Sequence, residues 1–170
     1  RDGAQFSIAS TDTPDAYFIV AERLQMKDRL NPGTWTITLS GSTTAGAADS
    51  LSLTDDSKTV DALTPGSPFG EVYSIVSGSA GTKVGSTTYG KFYPDAGLMV
   101  LSANSVSSSL PGSGSFTEAA GGSVITGNGL AQDTRVADAA DNAWKIARAM
   151  ELGSVTLRSE EKQYIYDYFC

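Results

Sequence analysis

The side chains that could carry chemistry are of few kinds, because the 170-residue sequence has no His and its single Cys is Cys170. Without imidazole, the sequence cannot supply a Ser-His-Asp triad, a Cys-His pair or a His-ligated metal. One Cys also cannot form an internal disulfide or a multi-cysteine metal site. Carboxylates, Lys, Tyr and Ser remain as the groups available for catalysis or binding.

Two pairs of adjacent carboxylates are the candidates for acid–base chemistry: Asp55 with Asp56, and Glu160 with Glu161. A glycosidase needs two acids roughly 5 to 10 Å apart across the sugar. Both pairs lie in turn-like sequence, where neighbouring side chains point apart, so we expect them to be solvated. The spacing of the acids also does not match a calcium-binding loop. The sequence therefore predicts no catalytic residue and no metal site.

A glycine-rich motif at residues 85–91 matches the first seven positions of the phosphate-binding loop G-x-x-x-x-G-K-[ST]. Phe92 stands where that loop has its magnesium-binding hydroxyl, and the following residues are strand-like rather than helical. A phosphate loop must open a helix. We therefore expect a glycine-rich loop that enters a strand, and no cofactor.

The charge balance bears on partners. The chain has 12 Lys and Arg against 19 Asp and Glu, a formal net charge of −7, and no basic stripe of the kind that nucleic-acid binding requires. Its longest apolar runs fall far short of the roughly 20 residues of a membrane-spanning helix. We expect neither nucleic-acid binding nor a membrane span.

Short strands joined by turns are indicated by the composition, since Ser, Thr and Gly make up about a third of the chain. Residues 15–24 predict a strand buried on both faces. After the turn Asn31-Pro32-Gly33, in which Gly33 takes a positive φ, residues 34–40 predict a half-buried strand. Alternation directs three side chains to the core: Trp35, Ile37 and Leu39. These first two strands are expected to form a hairpin-like pair.

Further strands are expected along the chain. They cover residues 50–54, 71–76, 91–93 and 97–102. Residues 78–90 are interpreted as a flexible connection, and Pro94-Asp95-Ala96 as a turn between two strands or a break in one. Residues 104–132 are expected to be a Ser/Gly-rich loop region, either a long surface loop with one short helix near 104–110 or a segment that is disordered in isolation.

The periodicity changes to that of a helix near residue 135. Apolar residues at helical spacing and Gly153 as a left-handed cap predict the principal helix over about 135–151. Residues 154–158 and 163–170 then predict two strands joined by a charged turn at 159–162. The expected fold class is α+β, mostly β, with short antiparallel strands and one principal helix. Residues 1–170 are expected to be a single β-rich domain or a fragment of a longer chain.

Two groups of residues are candidates for a partner interface. The charged group comprises Arg23, Lys27, Arg29, Arg158, Glu160 and Glu161, and the aromatic group comprises Tyr164, Tyr166 and Tyr168. Charges interrupted by opposite charges are typical of a solvated or interface-facing strand end. Alternating tyrosines are typical of a core or interface strand, and could alternatively stack on sugar rings or nucleobases.

Several blocks of the chain, taken in order, carry a resemblance. Residues 27–35 read K-D-R-L-N-P-G-T-W, residues 89–97 read Y-G-K-F-Y-P-D-A-G, and the helix of residues 137–150 is followed by L-R-S-E-E-K at 157–162 and an aromatic strand. This order resembles a large virion structural protein of T-even-type contractile-tailed phages, especially cyanophages. Residues 105–132 are not matched.

The resemblance implies a non-enzymatic structural and assembly component of the phage particle, in the tail or baseplate, assembled in the bacterial host cytoplasm. Its partners would be other virion proteins, through self-association or a hetero-oligomer, and no small-molecule ligand is expected. Two alternatives stay open from the residues: a carbohydrate-binding module for host attachment, and a carboxylate-based glycan hydrolase.

Overall fold

The strands of the computed structural model form a curled antiparallel sheet. Its described residues are 7–9, 12–13, 15–24, 26–42, 48–60, 70–107, 109–111, 116–117, 124–125 and 136–161. The elements are β1 (Ala16–Val20), β2 (Arg29–Leu30), β3 (Thr36–Ser42), β4 (Ala48–Asp55), β5 (Tyr73–Ser79), β6 (Thr82–Tyr93), β7 (Leu98–Ser102), α1 (Ala103–Ser107), β8 (Phe116–Thr117), β9 (Val124–Ile125), α2 (Val136–Glu151), β10 (Ser154–Thr156) and β11 (Ser159–Glu160). The predicted class, mostly β with one principal helix, is confirmed.

Seven strands make the main sheet, in the order β1-β7-β6-β5-β4-β3-β10. Two pairs, β11 with β2 and β8 with β9, form separate two-stranded ladders. From β3 to β7, each strand pairs with its neighbour in sequence, which is typical of an antiparallel meander. Among the described strands, β1 and β10 are therefore the two edges of the main sheet.

The core lies on one face of this sheet and is covered by α2 and α1. Trp35 is fully buried just before β3 and packs edge-to-face on Phe92 of β6, with ring centroids 5.3 Å apart. Ile37 and Leu39 follow Trp35 into the same core, as their alternation predicts. From the other side, Ile146 and Ala149 of α2 complete this cluster.

The pairing of β1 differs from the prediction. It does not form a hairpin with β3; it pairs antiparallel with β7, with Tyr17 opposite Leu101, while β3 pairs with β4. The residues between β1 and β3 instead contribute β2 to a second ladder with β11. Burial on both faces was also wrong: Tyr17 and Ile19 pack against the core, whereas Phe18 and Val20 point to the opposite face of the sheet and are 61% and 66% exposed.

Residues 78–90 are a tight hairpin rather than a flexible connection. Ser79 and Thr82 pair across a two-residue turn formed by Ala80 and Gly81, with φ of 45° and 75°. Two positive φ values identify a type I′ turn, whose twist suits adjacent antiparallel strands. The first half of β6 is solvent-exposed, and Val84 is the one apolar residue among its Ser, Thr, Gly and Lys. It therefore lacks the apolar alternation on which strand prediction depends.

Two predicted turns are confirmed. Residues 94–97 connect β6 to β7, so they form a turn between adjacent strands rather than a break in one. Gly33 has a φ of 72°, as the Asn31-Pro32-Gly33 sequence requires.

The principal helix is confirmed as α2, but details at its C-terminal half differ. Its buried positions are Lys145, Ile146 and Ala149, whereas Ala143 and Ala147 of the predicted apolar spacing are exposed. The φ of Gly153 is not left-handed; a Cβ there would lie 1.7 Å from the carbonyl oxygen of Thr38. Glycine is thus needed for the close approach of the helix end to β3.

After the helix, residues 154–156 add β10 to the main sheet beside β3. The predicted charged turn at 159–162 is wrong, because Ser159–Glu160 form β11 opposite β2. The sequence there has no apolar alternation to mark a strand. The predicted short helix near 104–110 corresponds to α1, and the predicted strand at 163–170 lies outside the described residues.

Candidate functional site

Five of the six candidate interface charges converge where β2 pairs with β11. Arg29 lies opposite Glu160 in that ladder, and its Nε donates to the Glu160 carboxylate. Its Nη1 donates to Glu71 Oε2 at 2.8 Å and lies 4.0 Å from Asp95 Oδ1. We call Arg29, Glu71, Asp95 and Glu160 the Arg29 cluster. The Arg29 side chain is only 16% exposed, so the cluster is shielded from solvent more than a surface ion pair is.

The carboxylates around Arg29 favour the charged form of its guanidinium. Burial lowers the pKa of Arg29, but the hydrogen bonds and negative charges of Glu160 and Glu71 outweigh burial and raise that pKa. Tyr73 donates its hydroxyl to Glu71 at 3.2 Å. Burial first, and then the charge of Glu71, raise the pKa of Tyr73 to about 12. Opposite charges with well-directed hydrogen bonds are typical of a structural network that fixes one segment on another.

Two further charges flank this cluster in more exposed positions. Lys27 Nζ lies 3.2 Å from Glu161 Oε2, with side chains 65% and 56% exposed. Arg23 Nη1 donates to the carbonyl oxygen of Asp95 at 3.1 Å. The structure thus brings together Arg23, Lys27, Arg29, Glu160 and Glu161, and bonds each of them within the chain. The interface role of these residues stays a prediction.

Arg158, the sixth charge, lies apart from the Arg29 cluster and lines a polar pocket. The backbone of Arg158 is fixed, because its carbonyl oxygen accepts from Asn31 N at 2.8 Å. The pocket has a volume of about 510 Å³ and is lined by Gly33, Thr34, Thr36, Lys58, Ser79, Ala80, Ser154, Thr156 and Arg158. We call it the cationic pocket, after Lys58 and Arg158. Tyr164, Tyr166 and Tyr168, on which the carbohydrate-binding alternative depends, lie outside the described residues.

The prediction that Asp55 and Asp56 are solvated is wrong. Asp55 is fully buried and Asp56 is 6% exposed. The Asp55 carboxylate accepts from Gly33 N, at 2.9 and 3.0 Å to its two oxygens, and from Ser57 N at 3.0 Å. Asp56 Oδ1 accepts from Ser74 N at 2.9 Å. Both carboxylates therefore act as acceptors for backbone N–H groups, those of two turn residues for Asp55 and that of a β5 residue for Asp56, a role that sequence adjacency does not reveal.

Exposed apolar side chains mark both edges of the main sheet. On and after β1 these are Phe18, Val20 and Leu24, which are 61%, 66% and 98% exposed. On and after β10 they are Val155 and Leu157, which are 47% and 37% exposed. Sequence reasoning missed these residues, because apolar strand residues were assigned to the core. The one usable signal was the absence of charge from the A-Y-F-I-V segment, which becomes informative only when the edge position is known.

The structure also bears on a metal site, the phosphate-loop motif and a membrane-spanning helix. In the described part of the chain, no group of three His, Cys, Asp or Glu residues could hold a metal ion. The motif at residues 85–91 lies inside β6, so it opens no helix of the kind a phosphate loop requires. No helix among the described residues has both the length and the apolar character to span a membrane.

Comparisons of the chain with protein families, with curated proteins and with solved structures found no match.

Proposed function

We propose that this chain is a structural component of a tailed-phage virion, in the tail or baseplate, and that it assembles with neighbouring subunits through the edges of its main sheet. The resemblance of its ordered sequence blocks suggests the setting. The observation that carries the mechanism is β1, an apolar edge strand whose outer side pairs with no strand in the described part of the chain.

Edge strands present unpaired N–H and C=O groups, and monomeric proteins usually protect them with Lys, Pro, a bulge or a covering loop. β1 has the sequence A-Y-F-I-V, with no charge and no Pro, and it pairs in regular register with β7 over all five residues. A regular edge with Phe18 and Val20 exposed offers backbone hydrogen bonds and apolar contact together. That combination suits the addition of a strand from a neighbouring subunit.

The opposite edge has the same character. β10 contains no charged residue, and Val155 and Leu157 lie exposed along it and just beyond it. Two edges that no described strand covers let a subunit contact a neighbour at each end, as in a repeating particle. The nearby exposed charges, such as Lys27 and Glu161, would provide specificity rather than most of the affinity.

Lysine substitution at the β1 edge tests this proposal. We expect Val20→Lys to weaken the affinity of the chain for a second copy or for other virion proteins by about tenfold or more. The lysine charge would lie within an apolar strand interface. Sedimentation velocity over a concentration series, together with co-sedimentation with the other virion proteins, provides the measurement.

The control is Val60→Lys. Val60 is also an exposed valine, 41%, but it lies in the bend after β4 and on no strand of the main sheet. Association should persist in this variant. A wild-type chain that remains monomeric at roughly 100 μM and binds no virion protein would contradict the proposal, as would equal effects of the two substitutions.

A further inference from the structure

The cationic pocket has a charge opposite to that of the molecule as a whole. The chain has a formal net charge of −7, yet the charged residues that line this pocket are Lys58 and Arg158. Five Ser and Thr residues line the remainder of the wall, from the approach to β3, from β5 and from β10. Asp55, whose carboxylate accepts from Ser57 N and from the pocket residue Gly33, is fully buried. The pocket surface thus offers hydrogen-bond donors and positive charge.

The donors have capacity for a ligand. Lys58 Nζ donates one hydrogen bond to Ala80 O at 2.6 Å, which leaves two of its three N–H groups available. Arg158 is exposed, and no described carboxylate forms an ion pair with it. Its guanidinium has five N–H donors in a planar fork that suits oxyanions.

The pocket wall is held in place before any ligand arrives. Ala80 adopts a φ of 45°, a conformation that costs free energy for a residue with a Cβ. Three hydrogen bonds hold this turn: Ala80 N to Thr36 Oγ1 at 2.9 Å, Gly81 N to Thr54 Oγ1 at 2.7 Å, and the Lys58 bond to Ala80 O. These bonds also place the Lys58 ammonium at the pocket wall. A strained turn that several contacts hold in place is typical of a preorganised binding site.

We infer that the cationic pocket binds an oxyanion, as a phosphate or sulfate group, either free or as a substituent of a larger molecule. Lys58 provides a point charge and Arg158 provides a directed pair of N–H donors. Neutral donors come from Thr156 and from the hydrogen-bonded hydroxyls of Thr36 and Ser79, which keep one proton to donate between them. The two threonines lie opposite each other in the β3–β10 ladder and both line the pocket. This inference does not depend on the assembly role, because it uses neither β1 nor an association event.

Titration of the isotope-labelled chain with inorganic phosphate and with sulfate tests the inference by NMR. We expect saturable shifts at the amides of Lys58, Ala80, Gly81 and Arg158. Lys58→Ala and Arg158→Ala should each weaken binding by about tenfold or more, as for loss of a charge-assisted hydrogen bond. Lys83→Ala is the matched control, because Lys83 is an exposed residue of the same hairpin that does not line the pocket. The affinity of the Lys83→Ala variant for phosphate should equal that of the wild type.

A second variant and a second ligand separate a loss of binding from a loss of folding, and a free anion from a phosphorylated molecule. Because Lys58→Ala removes a contact to the turn, Arg158→Gln, which has no described side-chain partner to lose, provides a second variant whose spectrum should retain its dispersion. Glucose 6-phosphate that shifts the same amides more strongly than phosphate, while glucose has no effect, would identify a phosphorylated substituent as the preferred form. Absence of shifts up to roughly 100 mM anion, or an equal loss in Lys83→Ala, would overturn the inference.

Discussion

At the scale of single residues, Asp55 shows how a charge can be structural without an ionic partner. Its carboxylate joins the Asn31-Pro32-Gly33 turn to the residues that follow β4, by accepting from Gly33 N and Ser57 N. The sequence D-D-S is typical of an exposed turn, and the turn itself is present. The burial of Asp55 could not be predicted from this sequence, because its hydrogen-bond donor Gly33 lies 22 residues earlier in the chain.

Replacement of Asp55 by Ala should be strongly destabilising. Two backbone N–H groups would lose their acceptor at a fully buried position, and each unpaired buried donor costs about 1–3 kcal/mol. We therefore expect the free energy of unfolding to fall by about 2–4 kcal/mol for Asp55→Ala, measured by urea denaturation.

Asp49→Ala provides the control, because Asp49 is an exposed carboxylate on the same strand, β4. It should change the free energy of unfolding by less than about 0.5 kcal/mol. Similar losses in the two variants would show that the hydrogen bonds of Asp55 do not stabilise the fold as described.

At the scale of elements, prediction succeeded where local sequence determines local structure. Trp35, Ile37 and Leu39 alternate into the core, the Pro-Asp-Ala-Gly segment turns the chain between β6 and β7, and the helical periodicity gives α2. It failed for the hairpin of β5 and β6, because polar residues on an exposed strand have no period to detect. It also failed for the partner of β1, since β7 lies about 80 residues away and no local signal encodes that pairing.

β6 contains two glycines that are required for different reasons. A Cβ at Gly90 would lie 1.9 Å from the carbonyl oxygen of Val100 on β7, so only glycine allows the two strands to approach. At Gly85, φ is +82° but the nearest atom to a Cβ would be Ser77 Oγ at 3.5 Å. Steric overlap is therefore expected at Gly90, and backbone strain alone at Gly85.

Alanine at these two positions should separate the two causes. We expect Gly85→Ala to reduce the free energy of unfolding by about 1–2 kcal/mol, the cost of a left-handed residue with a Cβ. Gly90→Ala should cost more than about 3 kcal/mol, because the β6–β7 ladder must open. Chemical denaturation of both variants gives the comparison. Equal losses would contradict the close approach of the strands at Gly90.

At the scale of the whole molecule, the sequence does not reveal how the six candidate interface charges are arranged. Five of the six belong to one region, because the β2–β11 ladder brings residues near 29 against residues near 160. Arg158 faces a different surface, even though only one residue separates it from Glu160. Arg158 lies between β10 and β11, where the chain passes from the main sheet to the second ladder, so the alternation of a single strand does not relate Arg158 to Glu160.

Two tyrosines give the fold a pH dependence that can be derived with its sign. Burial, and then the charge of Asp15, raise the pKa of Tyr17 to about 12, and Tyr73 reaches about 12 through burial and Glu71. The ordinary tyrosine value, taken for the unfolded chain, is 10.0. Between these values the unfolded chain releases phenolic protons that the folded chain retains. Stability from these groups is therefore fully present below about pH 10 and is lost as pH rises through 12.

We expect the melting temperature of the wild type to fall more steeply between roughly pH 10 and 12 than that of Tyr17→Phe/Tyr73→Phe, which has no phenols at these positions. Lysine deprotonation occurs in the same range, but it affects both proteins equally, so the difference in slope isolates the tyrosines. Thermal unfolding by circular dichroism, with tyrosinate absorbance near 295 nm as a direct titration, gives both quantities. Identical slopes, or complete tyrosinate formation in the folded wild type near pH 10, would contradict the buried positions of these two phenols.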